Sequence, residues 1–501
     1  MRYSTVFDQK TNDVISDHLI RADGQEDLCF ALWYPSKGYE RYSAVISEAV
    51  LPKEGERAVH GNASFKGDYF SRVVSLALEK GAGIAFMHSH PYPGWQAMSH
   101  PDIKAEKMLA PRVLAATNLP LVGLTIGSDN TWSSRFWTKK EKNSFERHWC
   151  KDVRVIGEEF NIYFKEDEFE QLNPTQRLKR TTSAWGYEKQ KMLSRLNIGI
   201  VGAGSVGSII GESLSRMGLG KLKVIDFDNI EEKNLDRSLH FYEDDIGYNK
   251  AAVLSDRLKK SATGQDFNIE PIRWSICEED GFKKALDCDL IFCCVDKPWP
   301  RQVLNSLAYF HFIPVIDGGI KVFPHSIDGE IKNIRGADWR AHVVGPNRPC
   351  LESLGQYTSG LVSAERDGSL DDPSYIEGLP KDHPLRNNQN IFNFSMHLAS
   401  LEIQHFLSLL LAPSGIKGLP PFMYHFKNAE LEKMVSKKCD PNCLFRDAEY
   451  YGHGDKVEIE FTGYHELAER MRKESKQYEN ANGILSVLKT FVKSFFSWIV
   501  Y

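Results

Sequence analysis

A strand, a glycine-rich turn and a helix follow one another without a break at residues 197–216. The letters are NIGIVGAGSVGSIIGESLSR, and three of the glycines are Gly202, Gly204 and Gly207. Glycine lets the backbone approach a phosphate closely, and the amino end of a helix favours that phosphate's negative charge. Apolar runs in KLKVIDFD, DLIFCCVD and IPVIDGGI alternate with helical stretches, which is typical of a mainly parallel sheet covered by helices. We therefore expect a Rossmann-like α/β domain that binds a nucleotide.

The chain is too long for that domain alone. Its 501 residues exceed one compact core, so two or three domains are expected. The first part alternates apolar runs (LCFALWYP, SAVISEAVLP, GIAFMHSHP) with a helical stretch, DYFSRVVSLALEKG, and is predicted to be a second α/β domain. Charge density rises between Lys139 and Lys179, where we place the first junction. The predicted domains are residues 1–165, residues 166–450 and a C-terminal helical region at 451–501.

Composition excludes several classes of protein. The formal net charge is -5, and no basic block indicates nucleic acid as a partner. The first letters, MRYSTVFDQKTND, contain no apolar core and so do not read as a secretory signal. Nine cysteines in such a chain are expected to be reduced thiols or metal ligands. These features predict a cytoplasmic protein.

A cluster of possible zinc ligands lies in the segment HSHPYPGWQAMSHPD. His88 and His90 are two residues apart at the end of a predicted strand, a spacing that places both rings on one face. Asp102 can supply a third, oxygen ligand, which leaves a fourth position open for water, as in catalytic zinc sites. The hydroxyl of Ser99 could polarise a scissile carbonyl. The alternative is a pair of surface histidines beside a proline-rich turn.

The order of these residues resembles the JAB/MPN (JAMM) zinc metalloproteases, whose pattern is an early Glu, then H-S-H-P, then a Ser and an Asp separated by two residues. The resemblance covers about the first 140 residues and implies a zinc-dependent isopeptidase. It assigns the general base to Glu26, with Glu48 as the alternative. One departure is that eight residues separate His90 from Ser99, where the family usually has seven.

Downstream of the glycine-rich turn, the stretches VIDFDNIEEKNLDRSL, DIGYNKA and FCCVDKPWPR do not follow a dehydrogenase pattern. They resemble the ThiF/MoeB-like adenylating enzymes, which include ubiquitin-activating enzymes. The resemblance implies ATP and magnesium as cofactors and assigns the residues as follows: Asp226 to the ribose, Asp228, Asn234 and Arg237 to the surroundings of the phosphates, Lys250 to the phosphates, and Asp296 to magnesium. It also implies a homodimer, because Arg177 or Arg180 of QRLKR would reach the partner subunit's ATP.

The cysteines of the later part leave three interpretations open. The superfamily often has a structural zinc on two C-x-x-C pairs, but here Cys350 is followed by Ser353, and Cys439 and Cys443 are separated by three residues. Cys350 could instead be the thioester nucleophile of an activating enzyme, because an exposed loop near an arginine could lower its pKa. The third interpretation is a thiol without a function.

Two further expectations concern the end of the chain and the role of the whole. Residues 484–501 have apolar side chains at helical spacing opposite two lysines, which predicts an amphipathic helix that docks on the protein itself, on a partner or peripherally on a membrane. The two resemblances together imply a bacterial enzyme that activates a ubiquitin-like protein, with a possible conjugating-enzyme partner, and cleaves its precursor or conjugates. The alternatives are activation of a sulfur-carrier protein for cofactor biosynthesis and a non-catalytic scaffold that binds ubiquitin-like proteins.

Overall fold

The computed structural model describes the chain except residues 61, 142–143, 169–175, 328–329, 372–388, 414–417, 435–438, 440–442, 446–450, 458–460 and 481–501. The expected amphipathic tail at 484–501 lies outside the described residues. Two large sheets carry the fold, one of nine strands and one of eight. Among the described helices, none combines the length and apolar character needed to cross a membrane.

The first sheet is mixed and has the strand order β11-β10-β1-β3-β2-β6-β7-β8-β9. Its strands are β1 (Arg2–Asp8), β2 (Leu28–Lys37), β3 (Arg41–Val50), β6 (Gly83–Ser89), β7 (Leu121–Ile126), β8 (Trp132–Glu141), β9 (Ser144–Trp149), β10 (Asp152–Ile156) and β11 (Phe160–Phe164). A separate hairpin consists of β4 (Arg57–His60) and β5 (Asn62–Phe65). The helices are α1 (Gln9–Leu19), α2 (Gly67–Lys80) and α3 (His100–Thr117). The strands and the helix expected in this part are confirmed, but the charged stretch after Lys139 also forms strands, because β10 pairs in parallel with β1.

The second sheet has the order β14-β13-β12-β15-β16-β17-β18-β19. The strands are β12 (Asn197–Val201), β13 (Lys221–Ile225), β14 (Asn268–Ile272), β15 (Leu290–Cys293), β16 (Val315–Ile327), β17 (Glu330–Val344), β18 (Phe422–His425) and β19 (Glu430–Lys433). The helices are α4 (Lys179–Trp185), α5 (Tyr187–Arg195), α6 (Ser205–Arg216), α7 (Lys250–Ser261), α8 (Glu279–Ala285), α9 (Pro298–Phe310), α10 (Ser359–Arg366) and α11 (Phe392–Leu411). Residues 466–480 are also helical.

The parallel part of this sheet agrees with the sequence, whereas its extension does not. Strands β14, β13, β12, β15 and β16 are parallel, as expected from the alternation of strands and helices. Strands β17, β18 and β19 then add in antiparallel order. Strand β17 contains many polar residues, and their sequence pattern does not predict a strand. The long β16–β17 pairing was therefore not expected.

One of the buried apolar clusters is shared by the two sheets. Val6, Val45 and Phe160 from the first sheet pack in the same apolar cluster as Ile198 and Ile316 from the second. This continuity places the amino ends of the second sheet's parallel strands against the first sheet.

Charged groups are buried at the same boundary. Arg41 is fully buried, pairs with Asp289 and donates to the carbonyl of Leu286 over 3.1 Å. Asp287 accepts the backbone N–H groups of Glu40 and Arg41, both at 2.9 Å. Buried ion pairs of this kind hold their partners in fixed positions, because separation would leave a charge without compensation. The nucleotide-side loops lie at the opposite, carboxyl ends of the parallel strands.

Candidate functional sites

The two histidines and the aspartate predicted from the sequence meet at the end of β6. Nε2 of His88 lies 3.2 Å from Nε2 of His90, and these nitrogens lie 3.5 and 3.3 Å from the two oxygens of Asp102. Four ligands bound at about 2.0–2.1 Å to a tetrahedral zinc are about 3.3 Å apart, so the three donor atoms already fit one zinc ion. The chemistry of the set, two imidazoles and a carboxylate, is that of a catalytic zinc site with one open position.

Ser99 and Asp102 are held by the start of α3. Ser99 is the N-cap residue: its N–H donates to an Asp102 oxygen over 2.8 Å, and its Oγ accepts the N–H of Asp102 over 3.3 Å. Burial alone would raise the pKa of Asp102, but hydrogen bonds with His88 and His90 lower it well below its usual range. The hydrogen bond to Asp102 in turn raises the pKa of His90. The aspartate is therefore a carboxylate, the form that binds a metal.

The JAB/MPN pattern places its early Glu on a strand, whereas Glu26 lies two residues before β2. The segment is fixed because the N–H of Asp27 donates to Ser89 Oγ and the N–H of Ser89 donates to the carbonyl of Asp27, both over 3.0 Å. This places Glu26 near enough to contribute to the raised pKa of His90. Glu48 instead pairs with Lys80. The arrangement favours Glu26 over Glu48 as the base.

The glycine-rich loop between β12 and α6 has the close backbone contacts that its sequence indicates. Gly202 has a φ of 97°, and a Cβ there would lie 2.5 Å from the carbonyl oxygen of Cys294. A Cβ on Gly207 would lie 1.9 Å from the carbonyl oxygen of Gly202. Side chains are therefore excluded at both positions. A Cβ on Gly204 would meet open space, so this glycine leaves the loop uncovered for a ligand.

Two predicted acids and the predicted lysine meet beside this loop. Asp226 accepts the N–H of Ala203 over 2.6 Å and the N–H of Asp228 over 2.8 Å. Burial and the nearby charge of Asp228 raise the pKa of Asp226 to about 6. Lys250 Nζ lies 3.0 Å from an Asp228 oxygen. The loop, the acid pair and the lysine thus lie together, and Lys250 is a cation that can exchange its carboxylate partner for a phosphate.

Asp296 is exposed on the loop between β15 and α9, on the same edge. The side chain that braces this loop was not predicted from the sequence. Arg301 donates to the carbonyls of Val295 and Gly318 over 2.8 and 3.2 Å and lies 3.3 Å from Asp317. Arg301 therefore ties the Asp296 loop to β16. Arg301 is on α9, and the sequence alone does not show that this helix brings Arg301 back to the Asp296 loop.

Four other predicted residues are placed less directly. Asn234 is buried, and its side chain accepts the N–H of Glu231 over 2.9 Å. Arg237 lies 3.0 Å from its neighbour Asp236. Arg177 and Arg180 are exposed at the start of α4. The first two thus make local contacts, and the two arginines lie on the surface.

The three cysteines converge, although they come from distant segments. Their sulfur atoms lie within 4.8 Å of one another, and the Sγ atoms of Cys350 and Cys443 are 3.4 Å apart. The N–H of Cys350 donates to the sulfur of Cys439 over 3.2 Å, and the hydrogen bond between the two thiols lowers the pKa of Cys439. Ser353 Oγ is 3.3 Å from the Cys350 sulfur. Cys350 is fully buried, so the exposed loop position expected for a nucleophile is not observed.

The glycine-rich loop, the acid pair and the lysine all fall within one match to a known family, since the ThiF family model matches residues 177–369. These residues form a ThiF-family domain. The ThiF domain is 28% identical over 196 residues to Ubiquitin-like modifier-activating enzyme 5 of Drosophila melanogaster, which covers 34% of this chain and 47% of that protein. It is 26% identical over 170 residues to Adenylyltransferase and sulfurtransferase MOCS3 of Caenorhabditis briggsae, covering 34% and 39% of the two chains. The chain spans about half the length of the curated relatives it matches.

Among solved structures, the chain is similar in fold to E. coli MccB. E. coli MccB bound to succinimide has a TM-score of 0.41 and 18% identity, and the match covers 55% of this chain and 75% of MccB. MccB with AMPCPP and its peptide MccA has the same TM-score and identity.

Proposed function

We propose that the chain is a bifunctional enzyme of ubiquitin-like protein chemistry. Its ThiF domain would adenylate the C-terminal carboxylate of a ubiquitin-like or sulfur-carrier protein with ATP, and its first sheet would carry a zinc-dependent isopeptidase. The observation that supports adenylation most is the meeting of Lys250 and the Asp226–Asp228 pair beside a glycine loop that leaves room for phosphates. The names of the relatives, an activating enzyme and an adenylyltransferase, point the same way.

In the adenylation step, the carrier carboxylate attacks the α-phosphate, a P–O bond forms to it and the bond to pyrophosphate breaks. Negative charge on the phosphates draws Lys250 away from Asp228, and Asp226 accepts a hydrogen bond from a ribose hydroxyl. The exposed carboxylate of Asp296 would hold magnesium, whose charge offsets that of the leaving pyrophosphate. The backbone of the glycine loop keeps the phosphates in line.

In the hydrolytic site, His88, His90 and Asp102 would hold zinc, which makes a bound water acidic. Glu26 would take the proton of that water and pass it to the leaving amine. Ser99 would donate its hydroxyl proton to the scissile carbonyl in place of its side-chain hydrogen bond with Asp102. The product would be a carrier with a free C-terminus, which is the substrate of the ThiF domain.

The cysteine cluster supports a metal rather than a thioester at Cys350. Three sulfurs that accept backbone N–H groups form a site suited to thiolates and hence to a structural zinc, with Ser353 beside it. Cys350→Ala tests the three interpretations: a nucleophile variant keeps ATP–pyrophosphate exchange and loses the thiol-sensitive adduct, a ligand variant loses thermal stability and metal, and a functionless thiol changes neither.

The homodimer is part of the same proposal, and the exposure of Arg177 and Arg180 is consistent with a contact to a partner subunit. Mixing Arg180→Ala chains with Asp296→Ala chains would restore some exchange if an arginine serves the partner's ATP. A strictly monomeric active enzyme would contradict this part.

ATP–pyrophosphate exchange, with a ubiquitin-like protein and a sulfur-carrier protein supplied in turn, tests the central proposal and separates its two substrate classes. Lys250→Ala should abolish the exchange. Lys259→Ala, on the exposed side of the same helix beside Asp256, is the matched control and should leave exchange unchanged. A chain that binds both carriers and exchanges neither would indicate a scaffold.

A further inference from the structure

The chain beyond residue 460 lies outside the matched ThiF region yet contacts its nucleotide side. We define the C-terminal segment as residues 461–480, of which 466–480 are helical. It begins beside α9, where the indole N–H of Trp299 donates to the carbonyl of Phe461 over 3.0 Å. The N–H of Gly463 then donates to the carbonyl of Cys277 over 2.8 Å, at the end of the β14–α8 connection. The segment is therefore fixed to the domain before its helix starts.

One side chain of the segment touches residues near two of the nucleotide candidates. The ring of His465 lies 4.9 Å from that of Phe227 and 5.3 Å from that of Trp299. Phe227 stands between Asp226 and Asp228, and Trp299 is three residues after Asp296. His465 thus packs between the loop of the acid pair and the first turn of α9, which directly follows the loop of Asp296.

The helix of the segment touches the residues that lead into α7, at the end of the connection that begins with the acid pair. The ring of Tyr478 lies edge-on to that of Tyr248 at 5.2 Å. A Cβ on Gly247 would lie 3.0 Å from the ring of Tyr478. Gly247 and Tyr248 immediately precede Asn249 and Lys250. The amide of Asn229, next to the acid pair, donates to the carbonyl of Met471 over 3.1 Å.

Ion pairs anchor the other side of the helix. Arg472 donates to both oxygens of Glu278 over 2.6 and 2.7 Å, and its guanidinium lies 4.0 Å above the ring of Trp274. Glu479 lies 2.9 Å from Arg273. Two-pronged pairs of this kind have a fixed geometry, so they orient the helix as well as hold it.

From these contacts we propose that the C-terminal segment is a working part of the nucleotide site: it sets the positions of the loops bearing Asp226, Asp296 and Lys250, and bound ATP holds it in place. The inference depends on ATP as the ligand of the ThiF domain, as proposed above. Because coupling between two binding events is reciprocal, a segment that favours the nucleotide-ready loops must itself be stabilised by the nucleotide. The role proposed for His465 is positioning, because its ring packs against those of Phe227 and Trp299.

The test compares three variants of the full chain. In His465→Ala, we expect the KM for ATP in ATP–pyrophosphate exchange to rise about tenfold, the scale of losing two aromatic contacts. His465→Phe keeps a ring between Phe227 and Trp299 and should restore most of the loss. Arg470→Ala is the control, because its side chain is 64% exposed and pairs only within the helix with Glu474 among the described residues.

A second measurement does not depend on turnover. Hydrogen exchange of the backbone amides of 461–480 should slow when ATP·Mg is added to the wild type, and slow much less in His465→Ala. If ATP binds and these amides do not respond, or if His465→Ala behaves as Arg470→Ala, the segment has no part in the site and the proposal is wrong. If calorimetry shows that the wild type does not bind ATP, both the proposed adenylation and this inference fail. ATP binding without a response of the segment overturns this inference alone. Equal melting temperatures of the variants exclude unfolding as the cause.

Discussion

The candidate zinc ligands lie between residues 88 and 102 and their donor atoms are 3.2–3.5 Å apart, whereas the nucleotide candidates are distributed over three loops between residues 202 and 296. The first arrangement needs no movement to accept an ion. In the second, the main cation is already engaged, because Lys250 pairs with Asp228. A metal site can thus be assembled by one strand end and one helix cap, while a phosphate site has to exchange partners when its ligand arrives.

The difference predicts that the two proposed activities can be removed one at a time. Glu26→Gln removes a proton acceptor without removing a ligand, so cleavage of a ubiquitin-like protein fused to a reporter should fall by about 10²–10⁴-fold. Zinc content and ATP–pyrophosphate exchange should stay at wild-type levels.

Glu48→Gln is the matched control, because that carboxylate pairs with Lys80 rather than with the histidines. Loss of cleavage in Glu48→Gln and not in Glu26→Gln would move the base to β3. Loss of zinc in Glu26→Gln would make this residue a ligand.

The second prediction concerns whether the two regions unfold together or independently. Arg41→Met leaves Asp289 buried at the boundary with fewer partners, and breaking such a pair costs about 3–5 kcal/mol. Denaturant unfolding should show that loss for the whole chain in one transition, because one apolar cluster is shared by the two sheets. Arg216→Met, in an exposed pair on α6, should cost less than about 0.5 kcal/mol. Two transitions, with only one shifted, would show that the regions fold independently.

The third prediction concerns magnesium. Asp296→Ala should raise the activation free energy of ATP–pyrophosphate exchange by about 3 kcal/mol or more. This is the scale for removing a group that offsets transition-state charge. Excess magnesium should recover part of the activity, and reporter cleavage at the zinc site should not change. Exchange that is equally low at every magnesium concentration would assign Asp296 to loop structure instead.

The sequence predicted which candidate residues lie close together better than it predicted the frame that joins the two regions. Short motifs fixed the histidine pair, the glycine loop and Lys250, because in each case a few adjacent residues impose the local geometry. The antiparallel strands β17–β19 and the buried boundary at Arg41 and Asp289 were missed, since both depend on pairings between residues far apart in the chain. The contact of His465 with Phe227 and Trp299 was missed for the same reason.

The smallest expected effect is a pH dependence at Asp226. Burial and Asp228 raise the pKa of Asp226 to about 6, so the carboxylate that accepts the ribose hydroxyl is lost as the pH falls through about 6, and the KM for ATP should rise several-fold between about pH 7.5 and 5.5. The contribution of Asp226 to folding stability changes with pH in the opposite direction from its contribution to ATP binding. A raised folded-state pKa means that the folded chain binds the proton more tightly, so this group stabilises the fold at low pH and loses that contribution as the pH rises through about 6. ATP phosphates also titrate near pH 6, and Asp226→Asn corrects for this, because its remaining pH dependence is that of ATP. A wild-type profile that matches the Asp226→Asn profile would mean that Asp226 does not titrate in this range.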